Sequence, residues 1–251
     1  MGEPISMEMH FRELRKKIRE SQRNVMDAFI ADHKINICFF CGADKYLTRE
    51  HMMPQWVFEK KPEKFFSATI NEMPQPYIKS TIPACARCNN VLLSSVEETI
   101  INILQSKLPG DYDFSERDMI IWWLELIGFK LQVLDLRQKF IKAKNGPYVP
   151  FLAEIPLGIM RRGGEESPYK ILLSVRAARR RLFKKTKIQE ENSLVVFETS
   201  NPDMHFFHKS GEFIFLELPR FKSAFFYFFN KQFDTIDEAS KLAHELIEKV
   251  Y

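Results

Sequence analysis

The chain has 251 residues, of which 45% are hydrophobic and 13% aromatic, and its formal net charge is +4. This composition is typical of a globular protein and excludes a disordered chain. The small net charge does not predict a partner, because a basic face can be hidden within a nearly neutral sum. We find no N-terminal apolar segment that would direct secretion, so the sequence predicts a cytoplasmic protein.

The predicted elements of the first half leave room for a small metal-centred module. Residues 7–31 are predicted to form a helix with a basic stretch, which either presents a solvated face or contacts nucleic acid. Residues 35–42 are predicted to be a short strand entering a turn, and residues 46–53 a second strand. Residues 60–83 contain four prolines and are predicted to be a long loop or insertion. A helix over residues 91–107 follows.

A long apolar helix opens the second half. Ser115 is suited to cap its N-terminus, and we expect it to reach about residue 139 at the centre of a core. Glu125, Lys130 and Asp135 interrupt its apolar stretch. Because these charges are unfavourable in a bilayer, a buried helix is a better interpretation than a membrane span.

The rest of the second half is predicted to contain short strands and one further helix. Residues 209–212 are expected to form a hairpin turn. Thr235 and Glu238 form a capping-box pattern before an amphipathic helix over residues 236–249. The strand candidates are residues 169–175, 194–199, 204–208, 213–218 and 224–229.

The four cysteines of the chain occur as two C-x-x-C pairs, Cys38/Cys41 and Cys85/Cys88. A two-residue spacer lets two thiolates converge on one tetrahedral ion, and two such pairs supply the soft ligand set of structural zinc. The alternatives are two disulfides in a secreted protein or a redox-active pair. Since no secretion signal is present, the spacing favours a zinc site.

A second motif lies between and after the cysteine pairs. Glu50 and His51 precede Pro54 and Trp56, and Asn89 directly follows the last cysteine. The order C-x-x-C, Glu-His-x-x-Pro-x-Trp, C-x-x-C-Asn resembles the zinc-containing HNH (ββα-metal, treble-clef) endonucleases. It is most similar to the subgroup that includes the endonuclease VII type of Holliday-junction resolvase. The resemblance covers about residues 36–98.

This resemblance implies a role for each of three residues. His51 matches the general base that takes a proton from the attacking water, and Glu50 matches the acidic ligand of a catalytic magnesium or manganese ion. Asn89 matches the position of a second metal ligand. The central asparagine of the family motif has no clear counterpart, although Asn71 is available in the loop. The implied products carry 5′-phosphate and 3′-hydroxyl ends.

Physical chemistry favours the same assignment. The ordinary pKa of histidine, about 6.5, suits it to accept a proton near neutral pH. Carboxylate and amide oxygens are hard ligands for magnesium, whereas the cysteines are soft ligands for zinc, so two chemically distinct metal sites are predicted. Adjacent strand residues face opposite sides, so Glu50 and His51 can share one site only at a strand end or distortion. Taken alone, the pair could be a surface feature without function.

A basic segment and an aromatic run in the second half bear on nucleic-acid binding. The basic segment could neutralise several phosphates or could be a solubilising surface. The aromatic run over residues 225–229 is predicted to be a buried strand rather than a platform for base stacking. The basic segment comprises Arg176, Arg179, Arg180, Arg181, Lys184, Lys185 and Lys187.

The sequence thus predicts an α+β protein with an N-terminal helical lead (1–34), a ββα-metal/treble-clef nuclease module with a four-cysteine zinc site (35–110) and a helical and antiparallel-β accessory domain (111–251). The expected function is metal-dependent hydrolysis of DNA. The alternatives are a non-catalytic zinc module that binds nucleic acid, and a nuclease effector that acts only with a partner such as a defence-system ATPase. A homodimer or a partner protein remains open, and no membrane is expected.

Overall fold

The computed structural model describes the parts of the chain given at the end of this paragraph, with only the backbone described for residues 65–67, 74–76 and 135–137. The predictions of a strand over 169–175, of Asn71 as a motif residue and of most of the helix over 7–31 lie outside them. The described residues are 10–14, 16–18, 37–58, 65–67, 74–76, 80–137, 177–178, 180–182, 192–209 and 211–250.

Two antiparallel strands and the helix that follows them form the centre of the first half. The elements are β1 (Leu47–His51), α1 (Gln55–Phe58), β2 (Phe65–Ser67), β3 (Pro74–Pro76), β4 (Thr81–Cys85) and α2 (Ser94–Ser106). Strand β1 pairs with β4 so that Leu47 lies opposite Cys85 and His51 lies opposite Thr81. The chain between them contains α1 and the antiparallel pair β2–β3. A π-helical turn over Cys88–Leu93 leads directly into α2.

One prediction for this half was wrong, and another holds in part. Residues 35–42 were predicted to be a short strand entering a turn, and the described residues among them, 37–42, form the turn without a strand. Its amides are used locally, because the Gly42 amide donates to the Cys38 carbonyl at 2.8 Å. The predicted loop over 60–83 contains strands, and β4 includes Pro83. The Pro83 carbonyl accepts from the Phe39 amide at 3.1 Å, so this residue turns its backbone polar groups away from β1. A proline is tolerated there because its missing N–H would not have bonded to β1.

Helix α3 (Phe114–Arg137) is the long apolar helix predicted from the sequence. Its cap is not Ser115, as predicted, but Asp113. The Asp113 carboxylate accepts from the Glu116 amide at 3.0 Å, and the Glu116 carboxylate accepts from the Asp113 amide at 2.8 Å. This reciprocal pair is a capping box that begins two residues earlier than expected.

The second half contains a four-stranded antiparallel sheet and a final helix. The elements are β5 (Leu194–Glu198), β6 (Phe206–Lys209), β7 (Phe213–Leu218), β8 (Ser223–Phe228) and α4 (Ile236–Glu248). The strand order in the sheet is β5-β8-β7-β6. The turn between β6 and β7 forms the predicted hairpin, in which Gly211 has a φ of 72°. The aromatic run over residues 225–229 is buried, as predicted. Thr235 caps α4 by accepting from the Glu238 amide at 3.3 Å.

One cluster of buried apolar side chains includes Leu14 and Ile18, the cysteine region, α2, α3 and one face of the sheet. A smaller cluster lies between the other face of the sheet and α4. The mixed α+β class is therefore confirmed. None of the helices in the described part of the chain combines the length and the apolar character needed to cross a membrane.

Candidate functional site

The four cysteines converge on one point. Their sulfur atoms all lie within 4.8 Å of one another, and the Sγ atoms of Cys41 and Cys85 are 3.6 Å apart. Tetrahedral zinc with Zn–S bonds of about 2.3 Å places its sulfur ligands roughly 3.8 Å apart. None of the four cysteines forms a disulfide. The cluster therefore has the ligand type, number and spacing for a metal ion such as zinc.

Local backbone structure brings the two cysteine pairs together. Gly42, with a φ of 75°, completes the turn that holds Cys38 and Cys41. Cys85 ends β4, and Cys88 begins the π-helical turn. The Ala86 amide donates to the carbonyl of Tyr46, which has a φ of 53°, at 2.9 Å. Both pairs therefore lie at the same end of the β1–β4 pair.

Hydrogen bonding among the thiols gives them different pKa values. The hydrogen bond between Cys38 and Cys41 lowers the pKa of Cys41 below its ordinary value and raises that of Cys38. The pKa of Cys88 is also raised, first by its hydrogen bond with Cys38. Because negative charge accumulates as thiols ionise, a divalent cation is the natural partner for four thiolates in this space.

Glu50 lies in a buried ion pair. Glu50 is 6% exposed, and its Oε1 accepts from the ammonium of Lys130 in α3, which is 2% exposed. The same ammonium lies 3.3 Å from the backbone carbonyl of His51. No described residue donates to Oε2 of Glu50. Glu97 in α2 interacts electrostatically with both charged groups, and its burial raises its pKa to about 7.

His51 ends β1, and the alternation of the strand places it on the opposite face from Glu50. The imidazole is partly buried, and this burial lowers its pKa below 6.5. The charge of Glu50 raises the His51 pKa and that of Lys130 lowers it, both by less than burial does. The His51 ring is therefore neutral and able to accept a proton at neutral pH.

Asn89 fastens the start of the helix to β1. Its Nδ2 donates to the Thr48 hydroxyl at 2.8 Å and is 3.4 Å from the Arg49 carbonyl. The Thr48 hydroxyl donates in turn to the Ala84 carbonyl at 2.9 Å, so it must accept from the Asn89 amide. This sequence of hydrogen bonds fixes the orientation of the amide. Among the described residues nothing donates to its Oδ1, which is the atom that could bind a metal ion.

The structure places Asn89 beside Thr48 and Arg49, and it places Glu50 and His51 at the end of β1 that is farther from the cysteines. It does not gather the predicted residues into a closed acidic cluster. In the described part of the chain, the four cysteines are the only group of three or more histidine, cysteine, aspartate or glutamate side chains close enough to share an ion. A magnesium ion needs fewer protein ligands, because it keeps several waters and often uses one or two carboxylates.

Neither the basic segment nor Trp56 is seen to form a hydrogen bond, ion pair or ring contact with Glu50, His51 or Asn89 in the described part of the chain. Only Arg180 and Arg181 of the basic segment are described. Arg180 is exposed, whereas Arg181 pairs with the buried Glu125 at 2.7 Å. Arg176, Arg179, Lys184, Lys185 and Lys187 lie outside the described residues. The Trp56 ring stacks on Trp123 with centroids 5.5 Å apart, which is a packing role.

Comparison of this chain with known protein families, curated proteins and solved structures finds no match. The interpretation of the site therefore depends on its own residues. Lys130 is the residue of this site that sequence reasoning missed. The sequence alone indicates only that its charge is unfavourable in a membrane span. Its signal was a lysine within an apolar helix, which demands a buried anionic partner without saying which one.

Proposed function

We propose that this chain is a metal-dependent endonuclease that hydrolyses phosphodiester bonds of DNA by an HNH-type mechanism. In this proposal residues 35–110 form a ββα-metal module around a structural zinc held by the four cysteines. The observation that carries it is the pair of contacts from Asn89 to Thr48 and Arg49. They bind the residue after the last cysteine to the strand that carries Glu50 and His51.

Each residue has a chemical role in the proposal. The neutral His51 ring accepts a proton from water, which the burial-lowered pKa permits at neutral pH. The Glu50 carboxylate and the Asn89 amide oxygen would hold magnesium or manganese, since both are hard oxygen donors. Such an ion supplies charge that offsets the developing negative charge of the phosphate. The zinc cluster serves as scaffold, because Asn89 follows Cys88 directly.

The arrangement of Glu50 favours a second candidate function. Glu50 is paired with Lys130, and strand alternation places it opposite His51. Both facts fit a zinc module that binds nucleic acid without cutting it. This second function predicts zinc content and nucleic-acid binding that needs no magnesium, with no cleavage of any substrate.

A cleavage assay separates the two functions. Purified full chain is incubated with supercoiled plasmid, single-stranded DNA and RNA, with magnesium or manganese. The first function predicts cutting by the parent chain and none by His51→Ala, with zinc retained in both. His244→Ala is a matched control, because His244 is exposed on α4 and bonds to its own helix. Equal cutting by His51→Ala and the parent would remove His51 from the mechanism.

A further inference from the structure

Lys130 is the most deeply buried charged side chain near the candidate site, and it comes from outside the segment that carries the motif. It lies in the middle of α3, 2% exposed, among the apolar residues of the main core. Burying an ammonium is strongly unfavourable unless it is paired and hydrogen-bonded. The partners that satisfy it are therefore part of the fold, and both belong to the end of β1.

The two contacts of Lys130 reach adjacent residues in different ways. The ammonium pairs with the side chain of Glu50 and lies 3.3 Å from the backbone carbonyl of His51. His51 is the last residue of β1, where the chain leaves the two-stranded ladder. The Met52 amide, directly after it, donates to the Ser80 carbonyl at 2.9 Å. One cation thus restrains both the carboxylate and the backbone that carries the imidazole.

The pairing also divides the two oxygens of Glu50. Lys130 binds Oε1, and no described residue donates to Oε2. A carboxylate held through one oxygen presents the other in a fixed direction. Residues that hold a ligand in this manner commonly change metal affinity or activity about 10–100-fold when they are replaced.

The same helix carries a second buried charge that faces elsewhere. Glu125, 4% exposed, accepts from the Tyr227 hydroxyl at 2.9 Å and from Arg181 at 2.7 Å. It resembles Lys130 in burial and in pairing, but its partners are in the second half of the chain. Glu125 therefore offers a comparison that separates general loss of stability from an effect on the site.

We propose that Lys130 is a positioning residue of the candidate site, which fixes the Glu50 carboxylate for a divalent cation and the backbone of His51 for proton transfer. This inference rests on the proposed function. It assigns α3, and with it the second half of the chain, a direct part in assembling the site. The segment over residues 36–98, which carries the motif, would then be incomplete without Lys130.

The test uses the full chain and measures Mn²⁺ binding separately from cutting. The variants are Lys130→Met, Lys130→Arg and the control Glu125→Gln. We measure zinc content, Mn²⁺ affinity by electron paramagnetic resonance without nucleic acid, and the Mn²⁺ dependence of plasmid cutting. Lys130→Met should keep its zinc, bind Mn²⁺ about 10–100-fold more weakly and cut correspondingly more slowly. Lys130→Arg should recover part of both properties, because its guanidinium still pairs with a carboxylate.

The control variant and the other possible outcomes test whether Lys130 positions the site. Glu125→Gln should lower the melting temperature while leaving Mn²⁺ affinity and its effect on cutting unchanged. Parent-like Mn²⁺ affinity and cutting in folded Lys130→Met would overturn the role of Lys130 and leave the proposed function intact. A parent chain that neither binds Mn²⁺ nor cuts would overturn both. If Lys130→Met loses its zinc, the more conservative Lys130→Gln takes its place, and the same parent-like result would overturn the role.

Discussion

The hydroxyl of Thr48 and the side-chain amide of Asn89 are joined by a hydrogen bond of 2.8 Å across 41 residues of sequence. It binds the first turn after the last cysteine to the strand that carries Glu50 and His51. If Asn89 acts through its side-chain oxygen, replacing Asn89 should impair cutting more than removing the Thr48 hydroxyl that anchors it.

Asn89→Ala should abolish cutting or reduce it strongly, because the oxygen donor is lost. Thr48→Val removes the anchor and the hydroxyl's hydrogen bond to the Ala84 carbonyl but keeps the Asn89 oxygen, so it should reduce cutting less. It should lower the free energy of unfolding by about 2 kcal/mol, since each of the two hydrogen bonds contributes about 1 kcal/mol. Cutting rates and urea unfolding of both variants measure the difference. An Asn89→Ala chain that cuts faster than Thr48→Val would contradict a role for the Asn89 oxygen.

The cysteine cluster should hold about one zinc ion per chain and depend on it for folding. Cys85→Ser should lose the zinc and the ordered structure of the first half, because metal binding and folding are coupled there. Zinc analysis with thiol titration before and after chelation tests this. All four thiols should become reactive together on chelation, since no other cysteine exists in the chain. His51→Ala provides the control, with its zinc retained.

Arg180 and Arg181 are adjacent but should respond differently to replacement by alanine. Arg181 pairs with buried Glu125 and lies over the Phe229 ring at 5.0 Å, so Arg181→Ala should lower stability by on the order of 3 kcal/mol. Arg180 is exposed. If the basic segment binds DNA, Arg180→Ala should reduce the salt slope of binding by about 1 without changing the melting temperature. Equal melting temperatures for the two variants would refute the structural role of Arg181.

Glu97 should make the folded state less stable as the pH rises. Its burial raises its pKa from 4.5 to about 7, so between these values the folded chain keeps a proton that the unfolded chain has lost. Stability is therefore lost as the pH rises through this window. Glu97→Gln should reduce the difference in melting temperature between pH 4.5 and pH 7. Glu98→Gln, at the exposed neighbouring position, should leave that difference unchanged.

Gly128 of α3 should not tolerate alanine, although alanine is the better helix former by about 1 kcal/mol. A Cβ at this position would lie 2.6 Å from the Phe229 ring. The ring packs against Tyr227 at a centroid distance of 5.3 Å and lies beneath the Arg181 guanidinium at 5.0 Å, so any shift away from a Cβ disturbs these contacts. Gly128→Ala should destabilise the chain by about 1–2 kcal/mol in urea unfolding. Adding Phe229→Leu should recover part of that loss, and a purely additive double variant would contradict the contact.

Local patterns were enough to predict much of the fold. The hairpin at residues 209–212, the cap of α4 at Thr235 and the buried strand over residues 225–229 were all predicted from short stretches of sequence. The cap of α3 was predicted at Ser115, although the spacing of Asp113 and Glu116 already matches a capping box, and the structure shows that this pair makes the reciprocal bonds. Strand β4 was missed because Pro83 indicated a loop, and its carbonyl contact with Phe39 depends on the folded chain.

The candidate site could be predicted only in part, for a similar reason. The cysteine spacing determined which residues converge, because all four are soft ligands with short spacers. The surroundings of Glu50 depend on Lys130, 80 residues later, and no periodicity in either segment indicates that the two would meet. The same holds for Thr48 and Asn89. Contacts of this kind arise from tertiary packing, and local sequence patterns do not indicate which distant residues will meet.

The stacked indoles of Trp56 and Trp123, inclined by 18°, have an optical consequence. Two indoles this close couple their electronic transitions and should give a paired positive and negative band in circular dichroism. One ring belongs to α1 and the other to α3, so the band exists only while these two helices are docked. The loss of this band during denaturation reports when the cysteine-bearing half separates from α3, without any added label. Comparing it with the release of zinc would show which of the two events comes first.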